Sequence, residues 1–134
     1  MSESLLPLAR QVDAAGSWDE LTRQLMLAAK ALPPMPAELK VASNQVRGCQ
    51  SQVWLTYSPA ASPAFQGYSD ARIIRGILSV LLEKANDISN SQRGTFDYGE
   101  YLTALGINRN ISQSRADGVA QIIRRLNELA TNTK

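Results

Sequence analysis

Between positions 18 and 32 the apolar residues Trp18, Leu21, Leu25, Ala28 and Leu32 recur at steps of three and four, which places them on one side of a helix. Ser17 stands where an N-cap belongs. Pro33, Pro34 and Pro36 lack the amide hydrogen that a continuing helix needs, so the pattern predicts a stop near residue 32. The period then changes. Over 52–57, Gln52-Val53-Trp54-Leu55-Thr56-Tyr57 is rich in β-branched and aromatic residues and alternates in polarity, predicting a strand with Val53, Leu55 and Tyr57 on one face. Residues 58–63 carry turn chemistry, and 64–68 supply the returning strand of a hairpin. A further strand over 44–47 would extend this antiparallel sheet from two strands to three.

Helical spacing resumes after the hairpin. Ser69 or Asp70 is placed to cap a helix whose Ile73, Ile74, Ile77, Leu78, Leu81 and Leu82 form a wide apolar stripe, as in a helix well buried against the sheet. Its Gly76 costs about 1 kcal/mol relative to Ala unless a neighbour packs closely there. Residues 95–105 predict a shorter helix closed by Gly106, and Ser112 opens a last helix with Val119, Ile122, Ile123, Leu126 and Leu129 facing inward. Helix, small sheet, then three helices is an α+β order, with helices covering a small antiparallel sheet. No repeat or linker divides the chain, so one domain over residues 1–134 is expected.

Composition sharpens the functional question mainly by what it lacks. The 134 residues contain no His and one Cys. Without imidazole there is no Ser-His-Asp triad and no Cys-His dyad. One thiol without imidazole builds neither the usual zinc site nor, alone, the four ligands of an iron-sulfur cluster, so no bound metal or cofactor is expected. Fourteen Lys plus Arg against twelve Asp plus Glu give a net charge of +2, which offers nucleic acid no bulk attraction. No apolar run is long enough to span a bilayer, and the first ten residues lack the basic start and long apolar stretch of a secretory leader. A cytoplasmic protein is expected.

The one thiol, Cys49, follows Val46-Arg47-Gly48 and precedes Gln50-Ser51-Gln52. A free cysteine is most often a small buried hydrophobe of no chemical consequence. This one belongs instead to a polar loop at a strand end, where a rigid scaffold presents reactive groups. Gly48 frees the backbone beside it, and Arg47 brings a positive charge that favours thiolate if its head folds back.

The segment Arg47-Gly48-Cys49-Gln50-Ser51-Gln52-Val53-Trp54-Leu55 resembles the sulfur-acceptor loop of the SufE family of cysteine desulfuration proteins, which includes the CsdE acceptors. Likeness continues at 32–39 (Leu32-Pro33-Pro34-Met35-Pro36-Ala37-Glu38-Leu39), at 67–76 and at Ser114-Arg115-Ala116-Asp117-Gly118, covering about residues 18–125. The resemblance implies the α+β fold of SufE and IscU proteins and a carrier role. Cys49 would take a persulfide sulfur from a cysteine desulfurase that uses pyridoxal phosphate, stimulate that enzyme, and deliver the sulfur to an iron-sulfur cluster scaffold. The partners are then these two proteins, with no nucleic acid or membrane, and the chain acts as a monomer or homodimer. It would not be an enzyme in its own right.

Sulfur transfer between thiols is attack of a thiolate on the outer sulfur of a persulfide, so one nucleophilic sulfur suffices. A lone Cys also closes the route in which a neighbouring thiol discharges the persulfide as a disulfide. An apolar pocket walled by Val53, Leu55 or the central helix would shield the carried sulfur and raise the resting thiol's pKa. Arg115 is the second candidate: Val119, Ile122 and Leu126 lie four, seven and eleven residues on, placing it on the inward face of the last helix, in a first turn where the dipole disfavours a cation. The plain alternative is a guanidinium that reaches solvent or pairs with a carboxylate such as Asp70. Asp70 itself is either a helix cap or a third site residue. Arg109, Arg124 and Arg125 read as solvated surface. Two other readings compete with the carrier: a thiol-based redox enzyme or sensor using Cys49, which lacks a resolving Cys, and a cluster scaffold pooling ligands across a dimer.

Overall fold

In the computed structural model, residues 5–132 are described; the first four residues of the stretch read for a leader lie outside them. The chain runs α1 (Pro7–Asp13), α2 (Trp18–Ala29), β1 (Val53–Tyr57), β2 (Phe65–Ser69), α3 (Arg72–Asp87), α4 (Asn90–Arg93), α5 (Tyr98–Ala104) and α6 (Gln113–Asn132), with single 3-10 turns at Ala37–Leu39, Ala42–Asn44 and Asn108–Asn110. This is the expected α+β arrangement, a two-stranded antiparallel sheet under helices.

Ser17 caps α2 as predicted, its Oγ accepting from the Glu20 amide at 3.1 Å. The helix ends slightly early because Ala31 and Leu32 donate to the carbonyls of Ala28 and Ala29, three residues back, tightening the last turn before the prolines. Trp18 belongs to the helix but not to the core. It is 58% exposed, with its indole N–H donating to the Asn110 carbonyl at 2.7 Å.

In the hairpin Val53 pairs with Ser69, Leu55 with Gly67 and Tyr57 with Phe65, so these residues share the face turned to α3. Phe65 stacks on Tyr57 at 4.2 Å between centroids. The other face is covered by long cations: the Lys40 ammonium lies over the Trp54 and Tyr68 rings, and Arg75 lies over Tyr68 at 4.5 Å. The third strand expected over 44–47 reduces to one bridge, Gln45 to Trp54, because the 3-10 turn at Ala42–Asn44 takes up the preceding residues.

Helix α3 is the central element, packed on β2 on one side and on α2 on the other. Gly76 is where α2 and α3 touch: a Cβ there would overlap the Leu25 carbonyl oxygen and lie 2.8 Å from its carbonyl carbon. A neighbour does pack closely at this glycine, and it is the backbone of another helix. Helix α6 crosses β1, burying Val119, Ile122 and Leu126. The helix predicted over 95–105 starts later, at Tyr98, capped by Asp97 through the Glu100 amide, and Gly106 closes it with φ +81°. Helices α1 and α4 were not predicted. At seven and four residues they are too short to show a period.

Candidate functional site

Cys49 lies in a five-residue loop, 47–51, held at both ends and little in between. On the N-terminal side the Val46 amide donates to the Val53 carbonyl at 2.8 Å. On the C-terminal side the backbone of Gln52 is clamped by the end of β2. Its amide donates to Asp70 Oδ1 at 3.1 Å, and its carbonyl accepts from the buried Ser69 hydroxyl at 2.8 Å and from the Asp70 amide at 3.3 Å. Between these anchors Gly48 turns the chain with φ +86°, a conformation that favours glycine, and rests against the Gln121 side chain of α6.

The thiol is half-buried and turned toward α6, where Cys49 Sγ donates to the Gly118 carbonyl at 3.4 Å. It opens into a recess of about 290 Å³ with Val53, Ile74 and Ile122 among its apolar walls and Ser51, Ser112, Ser114 and Arg115 among its polar ones. Val53 and the central helix supply apolar wall, as expected; Leu55, the other residue suggested, does not line the recess. Burial pushes the Cys49 thiol above its ordinary pKa, since the anion loses more solvation than the neutral form. The carbonyl acceptor at Gly118 also binds the protonated form. The resting site therefore stores a protonated thiol.

Arg115 shares the recess with Cys49 but is exposed rather than packed inward, because the first turn of α6 projects past the core. Its backbone amide takes the Ser112 hydroxyl as acceptor at 3.3 Å. Among the described residues its guanidinium has no hydrogen-bonding or ionic partner, so the suggested pairing with Asp70 is not made. Asp70 does not line the recess, and it does not cap α3 either: the N-cap is Ala71, whose amide donates to Ser69 Oγ at 3.2 Å. The Asp70 carboxylate instead fastens the end of the thiol loop. Arg124 and Arg125 are on the surface and share Glu128 at 3.9 and 3.4 Å, while Arg109 is exposed.

The sequence pattern singled out Cys49 and Arg115 and put Ile122 on the same helix stripe as Arg115, but gave Gly118 no part in the site. Gly118 and Ile122 stand three and seven residues after Arg115, the spacing of one helical stripe, and both line the recess. That spacing was available in the sequence, but nothing local said that the stripe would face a loop 69 residues away.

A family model described as "SufE: Fe-S metabolism associated domain" matches residues 7–130. The chain is 32% identical over 125 residues to a SufE-like protein of Haemophilus influenzae, covering 91% of this chain and 98% of that one. It is 31% identical over 118 residues to a SufE-like protein of Rhizobium etli, covering 84% and 80%. It is also 34% identical over 104 residues to the sulfur acceptor protein CsdE of Escherichia coli, covering 76% and 71%. With the thiol loop, the helix-covered hairpin and these matches together, the chain belongs to the SufE family.

Proposed function

We propose that this protein is a covalent sulfur carrier. Cys49 takes sulfane sulfur from the active-site persulfide of a cysteine desulfurase that uses pyridoxal phosphate, raises that enzyme's turnover by unloading it, and passes the sulfur to an iron-sulfur cluster assembly scaffold. The observation that carries this reading is the thiol's setting: half-buried on a tethered loop, at a recess with apolar walls and an exposed cation, Arg115, on its rim. The E. coli relative's name as a sulfur acceptor supports the same class.

In the transfer step the Cys49 thiolate attacks the outer sulfur of the donor persulfide. A new S–S bond forms at Cys49 Sγ, the old S–S bond breaks, and the donor leaves as thiolate with the electron pair. The proton lost by Cys49 is balanced by the one the departing donor takes up, so no oxidant or reductant enters. Delivery repeats the step with the recipient thiol as nucleophile. The raised pKa keeps the unloaded thiol quiet until a docked donor draws it toward positive charge. With one Cys in the chain, no internal thiol can discharge the load.

Intact-mass measurement after incubation with a cysteine desulfurase, pyridoxal phosphate and cysteine tests the reading. The wild-type protein should gain the mass of one sulfur atom, removable by dithiothreitol, and Cys49→Ser should gain none. A protein that forms oxygen adducts with peroxide but never takes up sulfur would be a redox protein instead.

A further inference from the structure

Gly118 stands in the body of α6, where glycine is a poorer helix former than alanine. Two ordinary reasons for such a glycine are absent. Its φ is not positive, unlike those of Gly48 and Gly106. No neighbouring helix presses on it as Leu25 presses on Gly76. The three nearest atoms that a Cβ at position 118 would meet all belong to Cys49: Sγ at 3.7 Å, Cβ at 3.9 Å and Cα at 4.0 Å. These are ordinary van der Waals distances, so an alanine would fit against the thiol in its resting state. The space left open is therefore not needed by the unloaded cysteine.

The loaded cysteine is larger. A persulfide adds a second sulfur about 2 Å beyond Sγ. On the side of Sγ that faces the missing methyl, a sulfur bonded at its ordinary angle would lie only about 2 Å from a Cβ at position 118, well inside contact. The same side of the thiol already faces the Gly118 carbonyl, which accepts its proton at 3.4 Å. Once Sγ is bonded to sulfur it has no hydrogen to donate, and the terminal S–H of the persulfide is the group that can take over that acceptor. Resting on the carrier reading above, we infer that Gly118 is the residue that makes room for the outer sulfur: its bare face and its carbonyl form the seat of the carried atom. The recess is thereby fitted to the loaded state, at the expense of helix stability.

Gly118→Ala tests this with glutathione persulfide as donor, so that docking of a protein partner plays no part. The variant should melt at or above the wild-type temperature, and its resting thiol should react with iodoacetamide at nearly the wild-type rate. Its persulfide, followed by intact mass, should form less fully or be lost to dithiothreitol at least about fivefold faster, the lower end of what overpacking a filled site costs. Wild-type loading and wild-type persulfide lifetime in Gly118→Ala would overturn the inference. So would a large rise in iodoacetamide reactivity, which would mean that the methyl expels the loop whether or not it is loaded. Failure of the wild-type protein to take up sulfur from a cysteine desulfurase supplied with pyridoxal phosphate and cysteine would strike the carrier reading instead.

Discussion

At the scale of single residues the site is governed by how burial and charge act on one sulfur. Because burial raises the Cys49 pKa, the rate of alkylation against pH should rise with a midpoint above that of a free cysteine, and unfolding the protein in urea should return it to the ordinary range. A midpoint at or below the free value would show that Arg47 or Arg115 already stabilises the anion at rest. Arg115 is exposed, so its effect on a docked donor is screened by solvent and salt. Arg115→Ala should leave the melting temperature unchanged and slow sulfur acceptance by about two- to fivefold at low salt, a factor that shrinks as salt is added. Equal transfer rates in the folded variant would remove Arg115 from the site. Asp70 illustrates the limit of reading one residue at a time: its place before an apolar stripe suggests a cap, yet its carboxylate is taken by the Gln52 amide, 18 residues back.

At the scale of elements the placement of the thiol loop depends on how closely the helices approach the sheet and one another. The contact of α2 with α3 at Gly76 is backbone against bare Cα, and the Leu25 carbonyl has no flexible end that could yield. Gly76→Ala should therefore destabilise by about 1–3 kcal/mol despite its better helix propensity, read as a lower melting temperature. Gly76→Ala and Gly118→Ala thus carry opposite expected signs, though each exchanges a helical glycine for alanine. The short helix α4 shows a different dependence. Its role is to carry Arg93, whose buried guanidinium donates to the Ala85 carbonyl at 2.7 Å and the Asn86 carbonyl at 3.2 Å, satisfying acceptors near the end of α3. It also bonds Asn90 on its own helix. No period in the sequence announces four residues whose purpose is to aim one side chain at another helix.

At the scale of the whole molecule the core joins helices from both ends of the chain around α3 and the hairpin, and no helix of the described residues is long and apolar enough to cross a membrane. Tyr98 ties the later helices into this core. It is fully buried, its hydroxyl donates to the Arg93 carbonyl at 3.3 Å, and burial pushes its pKa up to about 12 from 10. A folded pKa above the unfolded one gives stability that is complete below about pH 10 and is lost as pH rises toward 12. Global stability should accordingly fall across that window by on the order of 2 kcal/mol from this group. Tyr98→Phe should begin about 1 kcal/mol less stable at neutral pH, for want of the hydrogen bond, and show a shallower alkaline decline in denaturant titrations. An equally steep decline in the variant would assign the alkaline loss elsewhere, with Tyr101, also raised to about 12, the next group to test.

The sequence by itself determined the types of the longer elements and which side chain is the candidate nucleophile. Helical and strand periods are local, set by which side chains share a face within a few residues, and they gave α2, the hairpin, α3 and α6 close to their observed bounds. Composition, too, needs no coordinates: one Cys and no His leave sulfur as the only nucleophile of its kind. Tertiary structure alone decided what faces the sulfur. Arg115, Gly118 and Ile122 reach Cys49 only because α6 lies across β1, and Asp70 meets Gln52 only because β2 returns beside β1. Those meetings come from burying apolar stripes far apart in the chain, and a stripe specifies that it will be covered without specifying by what. The open face of Gly118 is the sharpest case, since a missing methyl carries no signal of its own until the neighbour it would have touched is in place.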